Sequence, residues 1–297
     1  MAAPAATLTP PTDARASRGL WGDAMRRLVR NKPALLGVFF IAVFVIAAVF
    51  ASVLAPYGPL EGTLVDRLQP PSREHLMGTD SQGRDEYSRV LYGAQVSLVA
   101  GVASVVMGVM IGGAIGAAAG GIGGKVDSVL MRVVDVMLAI PGILLAIGIV
   151  TWLDRGLPQI MFAVAIVNVP IFARILRGTL LSLRESDYVT ASRALGATGS
   201  RLLLRHMLPN SLTPLIVAAT LALATAIIDV AGLGFLGLGP PDPRTPEWGT
   251  MLTESTKFLR QAVWLLIFPG GAIVISAIGF NLLGDGMRES LDPRMRR

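Results

Sequence analysis

The sequence predicts an all-α integral membrane protein that crosses the bilayer about six times. Three observations carry that prediction. The mean hydropathy is +0.61. Only 15% of the 297 residues are charged, against roughly 25% in soluble domains. Six stretches without a Lys, Arg, Asp or Glu come near or past the roughly 20 apolar residues that a spanning helix needs.

Those stretches are Pro33 to Leu60, Val90 to Gly124, Val136 to Leu153, Gly156 to Ala173, Met207 to Ile228 and Gln261 to Gly284. The third and fourth are short and borrow flanking residues, with Arg132, Asp135, Arg174 and Arg177 at the interface, where long basic side chains snorkel. With the N-terminus inside, 18 of the 26 lysines and arginines fall on the cytoplasmic side, as the excess of positive charge in cytoplasmic loops requires. Both termini are therefore expected in the cytoplasm of a multi-pass inner-membrane protein. The chain divides into a disordered tail and basic juxtamembrane segment (1–32), a first span (33–57) and an extracytoplasmic segment (58–92). A five-helix core (93–285) carrying a cytoplasmic hairpin (184–209) and a C-terminal tail (286–297) complete it. Residues 1–19 are rich in Ala, Pro and Thr without apolar period. The first apolar run is long enough to remain as an anchor rather than to be a cleaved signal.

Several chemistries are excluded. With no cysteine and only two histidines, thiolate catalysis and Cys-ligated metal have no residues to use, and neither His75 nor His206 has a second ligand nearby in sequence, so no metal site is expected. The net charge of +6 lies in short clusters between apolar runs, which suits anionic lipid rather than nucleic acid. Gly232, Gly234 and Gly237 match G-x-G-x-x-G but close a membrane span instead of joining a strand to a helix. Gly123, Gly124 and Lys125 echo a phosphate loop, yet Ala119 and Val126 stand at positions the motif needs. No catalytic residue and no ATPase site is encoded, so whatever energy drives transport must come from a partner or an ion gradient.

Small residues recur every four positions along the second span, at Ala100, Ser104, Gly108, Gly112, Gly116 and Gly120, giving a face on which another helix approaches closely. The approaching helix belongs either to this chain or to a second subunit. Between the fourth and fifth spans, Ser186 and Asp187 can cap a helix over Tyr188 to Leu195. Gly196 can end it in a left-handed turn, and Thr198 or Ser200 can start the next helix.

The run DYVTASRALGATGSRLLLRHMLPN, Asp187 to Asn210, resembles the EAA loop of ABC importer permeases, with Gly196 and Leu208-Pro209 at the pattern's spacing. Thr190, Ala191 and Ser192 stand where Glu-Ala-Ala is usual, so the acid is absent. HLMGTDSQGRDEYSRVLYG (75–93), LGFLGLG (233–239) and FNLLGDGMRESLDP (280–293) are similar to the C-type subunit of dipeptide, oligopeptide and nickel permeases, over about residues 20 to 295. The resemblance implies a type I ABC importer permease fold and ATP-driven import of di- or oligopeptides, with nickel or another small solute as the alternative. It implies four kinds of partner contact: a B-type permease, two ATP-binding subunits, an extracytoplasmic peptide-binding protein and membrane lipid. It also implies that Asp187, Tyr188, Ala191, Ala194, Leu195, Gly196, Leu208 and Pro209 couple to the ATPases. On composition alone an ion-gradient-driven secondary transporter is a second class, but such a protein is expected to show internal repeats and midplane charges.

Asp229 lies about 28 Å along the fifth helix from Asn210 at 1.5 Å per residue, near the outer mouth. It is either a contact for a peptide ammonium or an interfacial structural acid; relatives of the subgroup place a Glu at the position of Val230 and a Ser at that of Gly234. Asn168, beside Pro170, either lines a cavity or caps a kink. Arg132 and Asp135, three apart, read as an ion pair. The cluster Asp80, Arg84, Asp85, Glu86 and Arg89 reads either as a solvated face or as a surface for another subunit.

Overall fold

The computed structural model describes residues 20–242 and 245–291, so the sequence-assigned tail at 1–19 and the last six residues lie outside the described part. Twelve α-helices make up the described fold, joined by short 3₁₀ and π turns, and no strand occurs among the described residues beyond two isolated bridges. Five helices are long and apolar enough to cross a membrane, and a bent pair supplies a sixth.

α1 (Leu20–Arg30) precedes α2 (Lys32–Val49), whose first turn is capped by Asn31: its side chain accepts from Ala34 N, and Pro33 sits where no N–H is needed. After α3 (Ala51–Leu54) a long loop leads to α4 (Glu86–Ile122), which starts four residues before its apolar run because Asp85 caps it, Oδ2 accepting from Ser88 N at 2.8 Å. α4 ends at Gly123 and α5 (Gly124–Ala139) begins at once; both glycines have positive φ, +77° and +60°.

The stretch expected as one span from Val136 is broken. α5 and α6 (Gly142–Leu153) meet at 96°. Pro141 is the cause: it forces the preceding Ile140 to extended backbone (φ −95°, ψ 129°), so the helix stops and restarts. α7 (Leu157–Arg184) runs eleven residues past the predicted Ala173, because its arginines find partners on neighbouring elements. Arg177 holds Asp127 through two bonds of 2.5 and 2.7 Å, Arg174 holds Asp135 at 2.5 Å, and Arg184 donates to the carbonyls of Gly120 and Gly121. Asp135 thus pairs across helices with Arg174 and not with Arg132, since a short acid reaches an arginine on the facing helix more directly than one along its own.

After the hairpin helix α8 (Asp187–Ala194), α9 (Gly199–Arg201) continues through a π turn into α10 (Leu208–Leu233) as one helical rod, and the π segment that follows, Gly234–Leu238, is kinked at Gly237 with φ +78°. α11 (Trp248–Ser255) folds back at its outer end, and α12 (Trp264–Leu291) closes the bundle against α2 and α10.

The small-residue face of α4 meets α7 of this same chain. A Cβ on Gly112 would lie 2.5 Å from Val169 O, and one on Gly116 2.5 Å from Ala173 O. The seam is therefore internal. The core proper, including Val105, Phe172, Ile160 and Val230, surrounds it.

Candidate functional site

Two ends of the bundle carry chemistry. At one end, the hairpin is built from α8 and α9 with Gly196 between them at φ +87°, a conformation that L side chains rarely adopt. Gly196 N donates to Arg193 O at 2.9 Å and Ala197 N to Ser192 O at 3.1 Å, closing the turn. Ser186 occupies the cap position of α8, but its hydroxyl donates back to Leu183 O at 2.5 Å instead of capping the new helix. The two arms are tied by Tyr188, whose hydroxyl donates to His206 O at 3.5 Å and accepts from Asn210 Nδ2 at 3.4 Å.

One side of the hairpin is anchored and the other is bare. Val189 is fully buried in an apolar cluster with Leu176 and Leu180 of α7 and with Leu202 and Met207 of the π turn. In contrast Leu195 at the tip is 90% exposed, Leu204 64% and Tyr188 40%. Asp187, Ala191, Ala194, Gly196 and Pro209 are exposed too, and Leu208 is half-buried. Thr190, at the position where the family pattern has an acid, is exposed. An apolar tip held out by a packed base marks a contact surface, because water contact of that size is unfavourable without a partner.

At the opposite end, Asp229 is half-buried and makes no hydrogen bond or ion pair among the described residues. It shares a helical face with exposed Thr225 and Ile228 and half-buried Gly232, a face of α10 left open by the chain's other helices. Asn168 does not reach that face. It is buried in the α4–α7 seam against Gly108, its amide donating to Val164 O at 2.8 Å.

The loop cluster is neither solvated nor a bare surface. Asp80, Arg84, Asp85, Glu86 and Arg89 are all buried. Asp80 Oδ2 accepts from Arg84 Nε at 2.5 Å and lies 3.6 Å from Arg89 Nε. Glu254 of α11 accepts from both arginines, at 3.1 and 3.3 Å, so the network pins α11 to α4. His75 Nδ1 lies 3.0 Å from Asp85 and its ring packs on Tyr57. Backbone bonds such as Leu68 N to Asp80 O hold the loop over these charges.

Sequence reasoning missed Glu247. It is fully buried and caps α11, accepting from Gly249 N at 2.8 Å and Thr250 N at 2.9 Å, with Ser97 of α4 nearby. Burial pushes its carboxyl up to about 7, against the lowering influence of those donors. Gly234 backs directly onto this carboxylate, leaving no space for a side chain. A Glu three residues ahead of Thr250 and next to Trp248-Gly249 was the available signal, a capping pattern hidden in a Pro-rich loop. Of the glycines in the dinucleotide-like motif, Gly234 thus serves packing, Gly237 supplies a positive φ of +78°, and Gly232 has no neighbour against it.

With this geometry in place, comparison with known proteins is informative. The family described as "Binding-protein-dependent transport system inner membrane component" matches residues 76–297, and "N-terminal TM domain of oligopeptide transport permease C" matches residues 19–71. The chain is 44% identical to the dipeptide transport system permease protein DppC of Alkalihalophilus pseudofirmus, covering 97% of this chain and 94% of that protein. It is 40% identical to the oligopeptide transport system permease protein OppC of Bacillus subtilis (95% and 92%) and 42% identical to the glutathione transport system permease protein GsiD of Escherichia coli (93% and 91%). Among solved structures, the inward-facing MetNI methionine ABC transporter superposes with a TM-score of 0.58 at 21% identity, covering 69% of this chain and 96% of the matched one.

Proposed function

Because this chain belongs to the binding-protein-dependent transport inner membrane component family, we propose that it forms one half of the translocation pore of an importer that carries di- or oligopeptides inward. It is the membrane permease of an ABC transporter and not its ATPase; partner ATP-binding subunits and a partner permease belong to the same assembly. In the proposed assembly the second permease is a B-type subunit, two cytoplasmic ATPases bind ATP and Mg²⁺, and an extracytoplasmic peptide-binding protein delivers the cargo. Both termini lie in the cytoplasm. The peptide cargo is supported by the names of the most similar relatives; a small non-peptide solute is the alternative within the family.

The observation that carries the coupling role is the tip at Leu195, 90% exposed above a fully buried Val189. A groove on the ATPase covers Asp187, Tyr188, Ala191, Ala194, Leu195 and Gly196, with Leu208 and Pro209 at its edge. Movement of that groove displaces the hairpin as a body, because Val189 and Leu202 pack it to α7 and the π turn fuses it to α10. Sliding of packed helices then opens and closes the pathway. Asp229 faces that pathway and takes the peptide's ammonium, while Asn168 stiffens the seam behind it.

The test is ATP hydrolysis by the complete complex in liposomes, with and without peptide-loaded binding protein. Leu195→Asp places a charge in the contact without altering the fold, and Gly196→Pro is incompatible with φ +87° and deletes the Arg193 bond. Both variants should assemble and lose stimulation by at least about tenfold, the effect of some 1.4 kcal/mol. Full stimulation in Leu195→Asp would refute the coupling role, and stimulation by a non-peptide solute alone would refute the cargo.

A further inference from the structure

At the inner end, α1, the start of α2 and the end of α12 enclose a cleft of about 290 Å³ walled by Arg27, Arg30, Asn31, Glu289 and Ser290. Arg27 and Arg30 are three apart and so share a helical face, where like charges repel. Neither guanidinium has a hydrogen bond or ion pair among the described residues. Glu289, the acid on the wall, is already engaged: Asn31 Nδ2 donates to its Oε2 at 2.7 Å, while Asn31 Oδ1 caps α2. Ser290 is only 8% exposed, yet its hydroxyl also has no partner among the described residues. The N-terminus of the 18-residue α2 adds partial positive charge at the same place. Two unneutralised cations, a solvent-accessible free hydroxyl on a largely buried serine and a helix N-terminus converge on a space that an anion would fill.

The surroundings say what kind of anion. Met25 and Val29 of α1, and Leu35 and Leu36 at the start of α2, are exposed apolar residues next to the cleft. On α1, Met25, Leu28 and Val29 form one stripe and Arg26, Arg27 and Arg30 another, the pattern of a helix lying in a membrane interface. Leu28 rests close to Gly286 of α12, which fixes α1 to the bundle at that depth. An amphiphile matches both halves, its head in the cleft and its chains along α2. We propose that this cleft binds the phosphate headgroup of an anionic phospholipid of the inner leaflet and thereby anchors α1 in the membrane interface.

The test is native mass spectrometry of the complete complex, titrated with phosphatidylglycerol or phosphatidylcholine. The wild type should retain phosphatidylglycerol in preference. The double variant R27Q/R30Q should lose that preference about 30-fold, the fold-change given by about 1 kcal/mol for each basic residue near an anionic surface. R27K/R30K should keep most of it. An unchanged preference in R27Q/R30Q overturns the proposal. So does displacement of the lipid by millimolar inorganic phosphate, which would mark a free-anion site, and so does a wild-type complex without preference, which would mean that another subunit covers the cleft. If R27Q/R30Q does not assemble, a salt titration of the wild type decides. Bound phosphatidylglycerol should fall as salt rises through 0.5 M, and retention at constant level overturns the assignment.

Discussion

Replacing Gly112 by alanine, with Gly113 as its neighbour and control, examines the central seam of the bundle. A Cβ at Gly112 would stand 2.5 Å from Val169 O, 2.9 Å from Phe172 Cβ and 3.2 Å from Ala173 N, all on α7. Ordinary contact begins near 3.4 Å, so the helices must part by nearly 1 Å. Overpacking of this kind costs about 1–3 kcal/mol. At Gly113 the nearest atom is Leu176 Cδ2 at 3.9 Å, so alanine fits and gains the roughly 0.5–1 kcal/mol by which it exceeds glycine in a helix. Adjacent substitutions of identical chemistry should therefore differ by about 2–4 kcal/mol with opposite signs. In thermal unfolding of the purified complex, at about 2–4 °C per kcal/mol, Gly112→Ala should fall by several degrees and Gly113→Ala should hold or rise. The double variant Gly112→Ala/Gly116→Ala should lose less than the sum of the two singles, because one displacement of α7 relieves both clashes. If Gly112→Ala and Gly113→Ala have the same midpoint within about 1 °C, the close approach of α4 and α7 is wrong.

Two further outcomes follow from buried charge. Asp80→Asn leaves the buried guanidiniums of Arg84 and Arg89 with only Glu254 as counter-charge. Breaking such a network costs about 3–5 kcal/mol, so the thermal midpoint of the complex should drop by more than for any single surface substitution; a drop under about 2 °C would show the network to be solvated. For Glu247 the folded carboxyl titrates near 7 instead of 4.5. Its contribution to stability is thus fully present below pH 4.5 and is lost as pH rises through 7, in total about 3 kcal/mol at 1.36 kcal/mol per unit. Glu247→Gln should flatten the stability profile between pH 5 and 9, and parallel profiles for the variant and wild type would exclude burial as the cause.

Much of the fold was legible because lipid imposes a simple rule: long uncharged runs become helices. The hairpin was legible too, since Gly196 is the residue that a left-handed turn selects. What the sequence concealed was pairing at a distance. Arg174 and Arg177 read as interface residues ending a span, whereas they extend α7 by holding Asp135 and Asp127 of α5. The charges from Asp80 to Arg89 read either as a solvated face or as a surface for another subunit because their partner Glu254 is over 160 residues away in the chain. Pro141 could have signalled the bend, but an apolar run on both sides of it masks the break. The α4 glycines announced a close contact without saying with which helix, and only the packing of Val169 and Ala173 against them resolves that choice.

The continuity of the fifth span bears on how the two ends of the protein communicate. From Gly199 to Leu233 the chain is one continuous helical rod, with a π turn where a loop would be expected, and the π segment that follows is kinked at Gly237, whose φ is +78°. Its inner end is the second arm of the hairpin. Its outer end carries Asp229 and then Gly234, which packs on Glu247, while Thr253 of α11 donates to the carbonyls of Gly234 and Phe235. Pro214 removes one backbone bond near the inner end, so flexure concentrates there and the segment beyond it moves as a unit. In the proposed coupling a push on the tip at Leu195 reaches α11 along this helix, and α11 is itself fixed to α4 and its preceding loop through Arg84, Arg89 and Glu254. In that scheme α11 follows α10 only to the extent that the Glu247 contact or the arginine network yields. The neutral form of Glu247 is the better tolerated of its two states in that buried contact, because burial penalises the charged carboxylate.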